Sequence, residues 1–277
     1  MNVTVERAIP YAEKEGYRFL EVDVYRPANQ EGPLPLLHYI HGGGWRVSSR
    51  QRAPRETRAW TPSLFEQMVG AGFVVAASDY RFSGEALYPA AVEDTTDAVR
   101  WLRENADRFG IDPTRVVLFG QSAGGYLALA VGLGHDIEPV RGIVAWYPLT
   151  DFSALVEDDP ASDFPSKWLG APLGTVPDLI ERARLPRLAR RDAPPVLLQH
   201  GTADTMAPFD QSVAMHDALV AAGASVEFDR LEGAEHFFVG CDDAQIRAIF
   251  DRAMKFARAR VGAADGSAGV SVAPPDQ

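Results

Sequence analysis

The chain has 277 residues, of which 46% are hydrophobic and 23% are charged, with a formal net charge of −11. Such an acidic chain lacks the concentrated Lys and Arg that nucleic-acid backbones require, so we expect no nucleic-acid partner. The single cysteine, Cys241, excludes an intrachain disulfide and a multi-cysteine zinc site. The sequence also lacks the HExxH motif of zinc hydrolases, so we expect no metal. Because the N-terminal residues lack a long apolar run, we predict a cytoplasmic protein with no membrane partner.

Apolar runs and turn residues predict alternating strands and helices. Two strand-like runs at 17–26 and 34–40 flank a turn-forming stretch, which predicts an antiparallel hairpin. The elements expected next are, in chain order, helix 62–71, strand 73–77, helix 91–109, strand 116–119, helix 123–133, strands 143–147 and 196–199, helix 208–222, strand 226–231 and helix 242–261. This order predicts an α/β fold with a mostly parallel sheet of about eight strands and helices on both faces.

The predicted elements suit one domain spanning residues 1–261, since α/β folds of this size often form a single unit. The long irregular segment 151–195 interrupts the alternation and is interpreted as a small lid-like insertion. The tail 262–277 is rich in Gly, Ala, Ser and Pro and is expected to be flexible.

The pentapeptide Gly120-Gln121-Ser122-Ala123-Gly124 has the pattern GxSxG between a predicted strand and a predicted helix. Its glycines allow the strand and helix to approach closely, which exposes the serine hydroxyl on a strained turn. The helix N-terminus beside it favours a developing negative charge. The pattern alone is weak, but in this context it predicts Ser122 as a nucleophile.

A second glycine motif, His41-Gly42-Gly43-Gly44-Trp45, ends the predicted strand 34–40. Hydrolases with a GxSxG turn between a strand and a helix place their oxyanion loop at this position. We predict that the N–H groups of Gly43, Gly44 and Ala123 form an oxyanion hole. Trp45 follows the glycines and is a candidate wall of the acyl or alcohol pocket, although an aromatic residue there can equally be scaffold.

The acid and base candidates follow the nucleophile in the chain order serine, acid, histidine, which hydrolases with a GxSxG turn share. Asp204 comes after the predicted strand 196–199, and His236 comes after 226–231. Both lie at carboxyl ends of strands, where open α/β sheets build their sites. His236 is predicted to exchange the Ser122 proton while Asp204 orients it. Asp151, after strand 143–147, is the alternative acid.

Together these motifs make the chain resemble bacterial α/β-hydrolase esterases of the hormone-sensitive-lipase-like group, nearest the feruloyl-esterase-like and kynurenine-formamidase-like branch. The resemblance covers roughly residues 17–260. It is carried by HGGGW (41–45), SDYRF (78–82), YPAAVEDTTDAVRWL (88–102), GQSAGGYLAL (120–129), HGTAD (200–204) and GAEHFF (233–238). It implies carboxylic ester hydrolysis with neither a metal nor an organic cofactor.

Two features depart from the hormone-sensitive-lipase-like pattern. Gln121 stands where those esterases usually have Asp, which favours the feruloyl-esterase-like branch. Only 40 residues precede His41, so we expect no full N-terminal cap, and lid material must come mainly from 151–195. The aromatic and apolar residues of that segment are candidate pocket walls or simple core: Phe152, Phe164, Trp168 and Leu169.

The loop 46–58 holds five arginines against one acid, Glu56. It could recognise an anionic substrate group, but salt bridges to neighbouring carboxylates are the favoured interpretation.

The favoured function is a serine carboxylesterase that hydrolyses short-acyl or aromatic esters through an acyl-enzyme at Ser122. An amidase of the kynurenine-formamidase type is the alternative, because the same three residues would serve it. A non-catalytic binding protein on a hydrolase scaffold is less favoured, since binding would not need all three. A homodimer through an exposed edge strand is compatible with the sequence but not required by it.

Overall fold

A computed structural model describes residues 2–14, 18–155 and 163–262, which are organised around one eight-stranded sheet. The strands are β1 (Val3–Ala12), β2 (Leu20–Pro27), β3 (Leu34–Ile40), β4 (Val74–Ser78), β5 (Ile111–Gln121), β6 (Gly142–Trp146), β7 (Val196–Gly201) and β8 (Val226–Leu231). Their spatial order is β1-β2-β4-β3-β5-β6-β7-β8. β1 and β2 pair antiparallel with their neighbours, and the pairs from β4 to β8 are parallel. The predicted mostly parallel sheet and α/β-hydrolase fold are confirmed.

The helices are α1 (Leu64–Gly70), α2 (Ala90–Glu104), α3 (Ala106–Phe109), α4 (Ala123–Leu133), α5 (Asp163–Leu169), α6 (Pro177–Ala183), α7 (Asp210–Ala222) and α8 (Asp243–Val261). Buried side chains of α1 and α8 pack on one face of the sheet, and those of α2, α4 and α7 pack on the other. Alternate residues of β5 show why: Leu118 packs in the core beneath α2, α4 and α7, and Phe119 packs in the core beneath α1 and α8. α4 is buried all round because it lies under the middle of the sheet.

The predicted antiparallel hairpin of 17–26 and 34–40 is wrong. β2 and β3 do not pair with each other, because β4 lies between them, antiparallel to β2 and parallel to β3. Both strands are largely buried, so each gains more from a two-sided position in the sheet than from pairing as an isolated ribbon. Tyr17, the first residue of the predicted run, lies outside the described residues.

Strand β1 was not predicted from the sequence. It pairs antiparallel with β2, but its register shifts between Glu6 and Ile9, where Ala8 has a φ of 55°. This bulge breaks the alternation of apolar residues that would otherwise mark a strand. The predicted helix 91–109 is likewise interrupted in the structure, where α2 and α3 are separated by Asn105.

The carboxyl ends of four central and outer strands bring the predicted site residues to one edge of the sheet. β3 leads into the glycine loop, β5 into Ser122, β7 into the loop of Asp204 and β8 into the loop of His236. Within the described ranges, no helix is long and apolar enough to span a membrane. Of the predicted lid segment 151–195, residues 156–162 lie outside the described residues, as does the predicted flexible tail from 263 onward.

Candidate active site

A tight turn carries Ser122 from β5 directly into α4. Ser122 has φ 53° and ψ −122°, a conformation that residues with a Cβ rarely adopt. Its N–H donates to the carbonyl oxygen of Trp146 at 2.8 Å, which ties the turn to β6. The Ser122 side chain therefore sits at the N-terminus of α4, where the helix dipole favours negative charge.

The glycines on either side of Ser122 are required by close main-chain packing. A Cβ on Gly120 would lie 2.1 Å from the carbonyl oxygen of Gly124. A Cβ on Gly124 would lie 2.1 Å from that of Ile40 and 2.5 Å from that of His41. Because these neighbours are main-chain atoms, they cannot move away as the end of a side chain could. The glycine pattern thus reflects a steric requirement of the strand-to-helix turn.

His236 lies between Ser122 and Asp204. Its Nε2 is 3.1 Å from Ser122 Oγ, and its Nδ1 is 2.7 Å from Asp204 Oδ2. Nδ1 must carry the proton to donate to the carboxylate, which leaves Nε2 free to accept from the serine hydroxyl. The structure therefore brings the three predicted residues together, at distances that proton transfer from Ser122 to His236 requires.

Asp204 is enclosed by hydrogen-bond donors. Its Oδ1 accepts from the N–H groups of Met206 and Ala207, each at 2.9 Å, and its Oδ2 accepts from both His236 and His200, the latter at 3.1 Å. Burial by itself would raise the pKa of Asp204. The hydrogen bonds from His200, His236 and the Ala207 N–H outweigh burial and lower the pKa to about 2. Asp204 is consequently an anion across the neutral range.

The alternative acid, Asp151, has different partners. Its Oδ2 accepts from Arg184 Nε at 2.7 Å, and its Oδ1 accepts from the N–H and hydroxyl of Ser153. Within the described part of the chain it makes no contact with His236. The geometry therefore favours Asp204 over Asp151.

The glycine loop packs against the serine turn. A Cβ on Gly42 would lie 2.7 Å from the carbonyl oxygen of Gln121, so no side chain fits between loop and turn. Gly43 and Gly44 have φ of 114° and 59°, which glycine tolerates better than other residues. Among the residues that the structure describes, the N–H groups of Gly43, Gly44 and Ala123 donate no hydrogen bond.

Three of the predicted pocket residues lie in the core instead. Trp45, Phe152 and Trp168 have no exposed surface, and the Trp45 and Trp168 rings stack with centroids 4.2 Å apart and planes 3° apart. Tyr126 of α4 packs against all three. Because these rings are buried against one another, they form part of the core next to the glycine loop and present no surface to a ligand. Leu169 is buried in the same core.

Phe164 is the predicted pocket residue that reaches the glycine loop. A Cβ on Gly44 would lie 2.3 Å from the Cδ1 atom of its ring. Arg46 lies over that ring, 5.5 Å from its centroid, and its Nη1 is 3.1 Å from Asp163 Oδ2. Arg46 thereby attaches the start of α5 to the loop that carries Gly43 and Gly44.

Another arginine of the loop 46–58 is committed to internal ion pairs. Arg50 Nε donates to Asp23 Oδ1 at 2.7 Å, Nη2 lies 2.8 Å from Glu21 Oε2, and Nη1 pairs with Asp79. Arg50 is itself buried. These contacts anchor the loop to β2 and to the end of β4, in agreement with the prediction of salt bridges for the arginine-rich loop.

Two sets of contacts around the site were missed from the sequence. The first is the hydrogen bond from His200 to Asp204, for which the spacing of four residues in HGTAD was the available signal. The second set is a polar chain of Glu56, Tyr147 and Gln121, in which the Tyr147 hydroxyl is 2.5 Å from Glu56 Oε1 and 3.1 Å from Gln121 Oε1. Glu56 and Tyr147 are 91 residues apart, and no local pattern signals their contact.

Comparisons with known proteins identify the relatives of this chain. The family model BD-FAE matches residues 22–219. Carboxylesterase NlhH of Mycobacterium tuberculosis is 33% identical over 250 residues, which cover 84% of this chain and 75% of that protein. Ethyl acetate hydrolase of Pseudomonas putida is 32% identical over 242 residues, which cover 79% of this chain and 71% of that protein.

Solved structures show the same likeness. A thermophilic esterase of the Planctomycetes species Thermogutta terrifontis, bound to propionate, is 25% identical with a TM-score of 0.73, covering 92% of this chain and 93% of that chain. The same esterase has been solved bound to butyrate and after phosphorylation by paraoxon. The family match includes the serine turn and the Asp204 loop. The chain therefore belongs to the BD-FAE family and is an esterase with the α/β-hydrolase fold.

Proposed function

We propose that this esterase works as a serine carboxylesterase in which Ser122 is the nucleophile, His236 the general base and acid, and Asp204 the residue that orients His236. The observation that carries the proposal is the pair of contacts made by the His236 ring, 3.1 Å to Ser122 Oγ and 2.7 Å to Asp204 Oδ2. The strained turn at Ser122 and the carboxylesterase relatives support it.

In the acylation step, His236 Nε2 removes the hydroxyl proton while Ser122 Oγ attacks the carbonyl carbon of the ester. The imidazolium that forms is stabilised by the anionic Asp204. When the tetrahedral intermediate collapses, the carbon–oxygen bond to the alcohol breaks, and the alcohol takes the proton from Nε2. The product of this step is an acyl group esterified to Ser122.

In the deacylation step, His236 Nε2 takes a proton from water, whose oxygen attacks the acyl carbon. Collapse returns that proton to Ser122 Oγ and releases the carboxylic acid. His236 therefore acts as base and then as acid in both steps, while the charge of Asp204 does not change.

The N–H groups of Gly43, Gly44 and Ala123 are proposed to bind the negative oxygen of both intermediates. Their freedom from other hydrogen bonds among the described residues supports this assignment. One such donor typically contributes ~3 kcal/mol to the barrier reduction, because it is already oriented when charge develops. The N-terminus of α4 adds to the same field.

We propose that the natural substrates are small, uncharged esters with a short acyl or aromatic group. Three of the exposed large apolar residues lie on the loops that carry the site: Val47, Met206 and Val239. Phe164 lies against Gly44 and takes up space beside the proposed oxyanion hole. The propionate and butyrate complexes of the Thermogutta terrifontis esterase support a short acyl side.

The organisation of the chain is part of the same proposal. We propose one domain, residues 1–261, with 151–195 as its lid, because the described strands form a single sheet and α5 contacts the glycine loop through Phe164. A cytoplasmic location is also proposed, supported by a sequence with only one cysteine.

The proposed function can be tested with p-nitrophenyl acetate, butyrate and octanoate, with N-formylkynurenine as the competing amide. We expect rates that fall from the short to the long acyl group, with ester cleavage exceeding amide cleavage. Incubation with a fluorophosphonate or with paraoxon should give one covalent adduct, found on Ser122 by peptide mass spectrometry. Folded protein that neither hydrolyses these esters nor reacts with either reagent would contradict the proposal.

Shortening Phe164 should change the acyl preference. Phe164→Ala removes the ring that lies on Gly44, so we expect the ratio of kcat/KM for octanoate to that for acetate to rise about tenfold. Phe164→Leu keeps much of the apolar volume and should give a smaller rise. The measurement is the ratio across the three p-nitrophenyl esters. An unchanged ratio in Phe164→Ala would show that this ring does not limit the acyl group.

A further inference from the structure

A carboxyl group with little access to water lies beside the proposed base. Glu56 belongs to the short 3-10 turn Arg55–Thr57, and its Oε1 is 2.5 Å from the Tyr147 hydroxyl oxygen. Its Oε2 has no exposed surface and no hydrogen-bond partner within the described residues. Burial raises the pKa of Glu56 to about 7, although the Tyr147 hydrogen bond and the charges of Arg58 and Arg55 act in the opposite direction.

The hydrogen bonds that Tyr147 can make depend on whether Glu56 carries a proton. The Tyr147 oxygen lies within reach of two acceptors, Glu56 Oε1 at 2.5 Å and Gln121 Oε1 at 3.1 Å, but a hydroxyl has only one proton. If Tyr147 donates to Gln121, it must accept from Glu56, whose carboxyl then carries a proton. Ionised Glu56 would instead accept the hydrogen bond from the Tyr147 hydroxyl. Gln121, the residue before Ser122, would then have to turn its amide to keep a partner.

Tyr147 joins this chain to His236. The two rings meet edge to face, with centroids 4.6 Å apart and planes at 62°. The Tyr147 backbone is held in an unusual conformation, with φ 36°, by a hydrogen bond from its N–H to the carbonyl oxygen of Gln199 at 2.9 Å. Phe237 and Phe238 pack on other sides of the same ring. The position of the Tyr147 ring therefore limits the position of the imidazole.

Few other titratable groups face this cluster. Tyr39 of β3 and Asp204 lie near the Tyr147 hydroxyl, and Arg55 and Arg58 are the cations near Glu56. Both arginines are exposed and neither forms an ion pair with Glu56 in the described part of the chain. A negative charge on Glu56 would thus have no buried cation to balance it, which favours the neutral acid.

We propose that Glu56, in its neutral form, and Tyr147 are positioning residues for His236. Glu56 and Gln121 hold the Tyr147 hydroxyl from two sides, and the ring so fixed supports the imidazole at 3.1 Å from Ser122 Oγ. Ionisation of Glu56 loosens this arrangement and lowers the rate. The inference rests on the proposed function, since it treats His236 as the base.

The test is the pH profile of kcat/KM for p-nitrophenyl acetate in wild type and Glu56→Gln. Glutamine is a neutral isostere whose amide can donate to Tyr147, so it should retain most activity below about pH 6. The ratio of Glu56→Gln to wild type cancels every ionisation that the two share. We expect this ratio to rise at least about threefold between about pH 6 and about pH 8.5, as wild-type Glu56 ionises. Glu104→Gln, the same change at an exposed site, should give a flat ratio.

Thermal unfolding provides a second measurement that does not depend on activity. The pKa of folded Glu56 is raised from 4.5 to about 7, so the neutral form contributes stability that is full below about pH 4.5 and is lost as the pH rises through about 7. Glu56→Gln should therefore raise Tm by a few degrees at about pH 8.5 and change it little at about pH 4.5.

Tyr147→Phe keeps the ring but removes the hydroxyl that contacts Glu56 and Gln121. This variant should lower kcat about tenfold with little change in KM.

The outcomes separate this inference from the proposed function. A flat ratio, or one that falls as the pH rises, would overturn the positioning role of neutral Glu56, because a falling ratio would make the anion the active form. A Tm difference that is the same at both pH values would overturn the assignment of a neutral carboxyl. If folded wild type shows neither ester hydrolysis nor fluorophosphonate labelling, the proposed function itself fails, whatever the unfolding data show.

Discussion

Replacing Ser122 with alanine is expected to lower kcat for p-nitrophenyl acetate by about 10⁶-fold and to abolish fluorophosphonate labelling. Alanine keeps the Cβ that already fits the strained conformation at φ 53°, so the turn should survive the change. The variant loses the atom that forms the acyl-enzyme, and His236 then has no hydroxyl to deprotonate. Any remaining activity would come from the oxyanion donors and from substrate binding alone.

The control for the Ser122→Ala experiment is the same substitution at another serine. Ser225 is exposed and lies at the opposite end of the sheet, where its carbonyl oxygen accepts from Val196 at the start of β7. Ser225→Ala should hydrolyse the ester and react with the fluorophosphonate as wild type does. The kinetics should be accompanied by circular dichroism of both variants, to show that each is folded. If Ser122→Ala kept substantial activity and labelling, another residue would be the nucleophile.

Changing Asp204 to asparagine should lower kcat by about 10⁴-fold. The new amide can offer an N–H where His236 Nδ1 now donates to a carboxylate, which favours the tautomer with its proton on Nε2. That tautomer cannot accept the proton of Ser122. The variant also removes the negative charge that stabilises the imidazolium, since the pKa of about 2 keeps Asp204 ionised at working pH. Steady-state kinetics near neutral pH would measure the loss.

Asp151→Asn is the control for Asp204→Asn. Asp151 is also a buried aspartate near a strand end, but it pairs with Arg184 and Ser153 rather than with His236. Its substitution should cost some stability and leave kcat within a fewfold of wild type. A loss of about 10⁴-fold in Asp151→Asn with an active Asp204→Asn would transfer the orienting role to Asp151. The pair of variants therefore tests the one choice of acid that the sequence left open.

Local requirements of the backbone are what the sequence determined well. Gly120 and Gly124 could be predicted because a strand-to-helix turn with an exposed serine leaves no room for a Cβ at either position. Uniformly apolar runs such as β4 indicated buried parallel strands for the same local reason, since both faces of such a strand are covered. Asp204 and His236 followed from these elements, because the carboxyl ends of parallel strands meet at one edge of the sheet.

Side-chain contacts between distant segments were decided only by the tertiary structure. The sequence could not show that β4 inserts between β2 and β3, because that pairing depends on the summed burial of the whole sheet. It could not separate Phe164, which reaches Gly44, from Trp45 and Trp168, which stack in the core. It also gave no sign of the contact between Glu56 and Tyr147.

The physical reason is a difference in range. A turn, a cap or an apolar period is fixed by the sterics and solvation of a few neighbouring residues, and those are written in the local sequence. The packing of an aromatic ring and the protonation of a buried carboxyl depend on which segments meet in space. The sequence by itself thus determined the fold class and the order of the candidate triad, while the tertiary structure decided what surrounds His236.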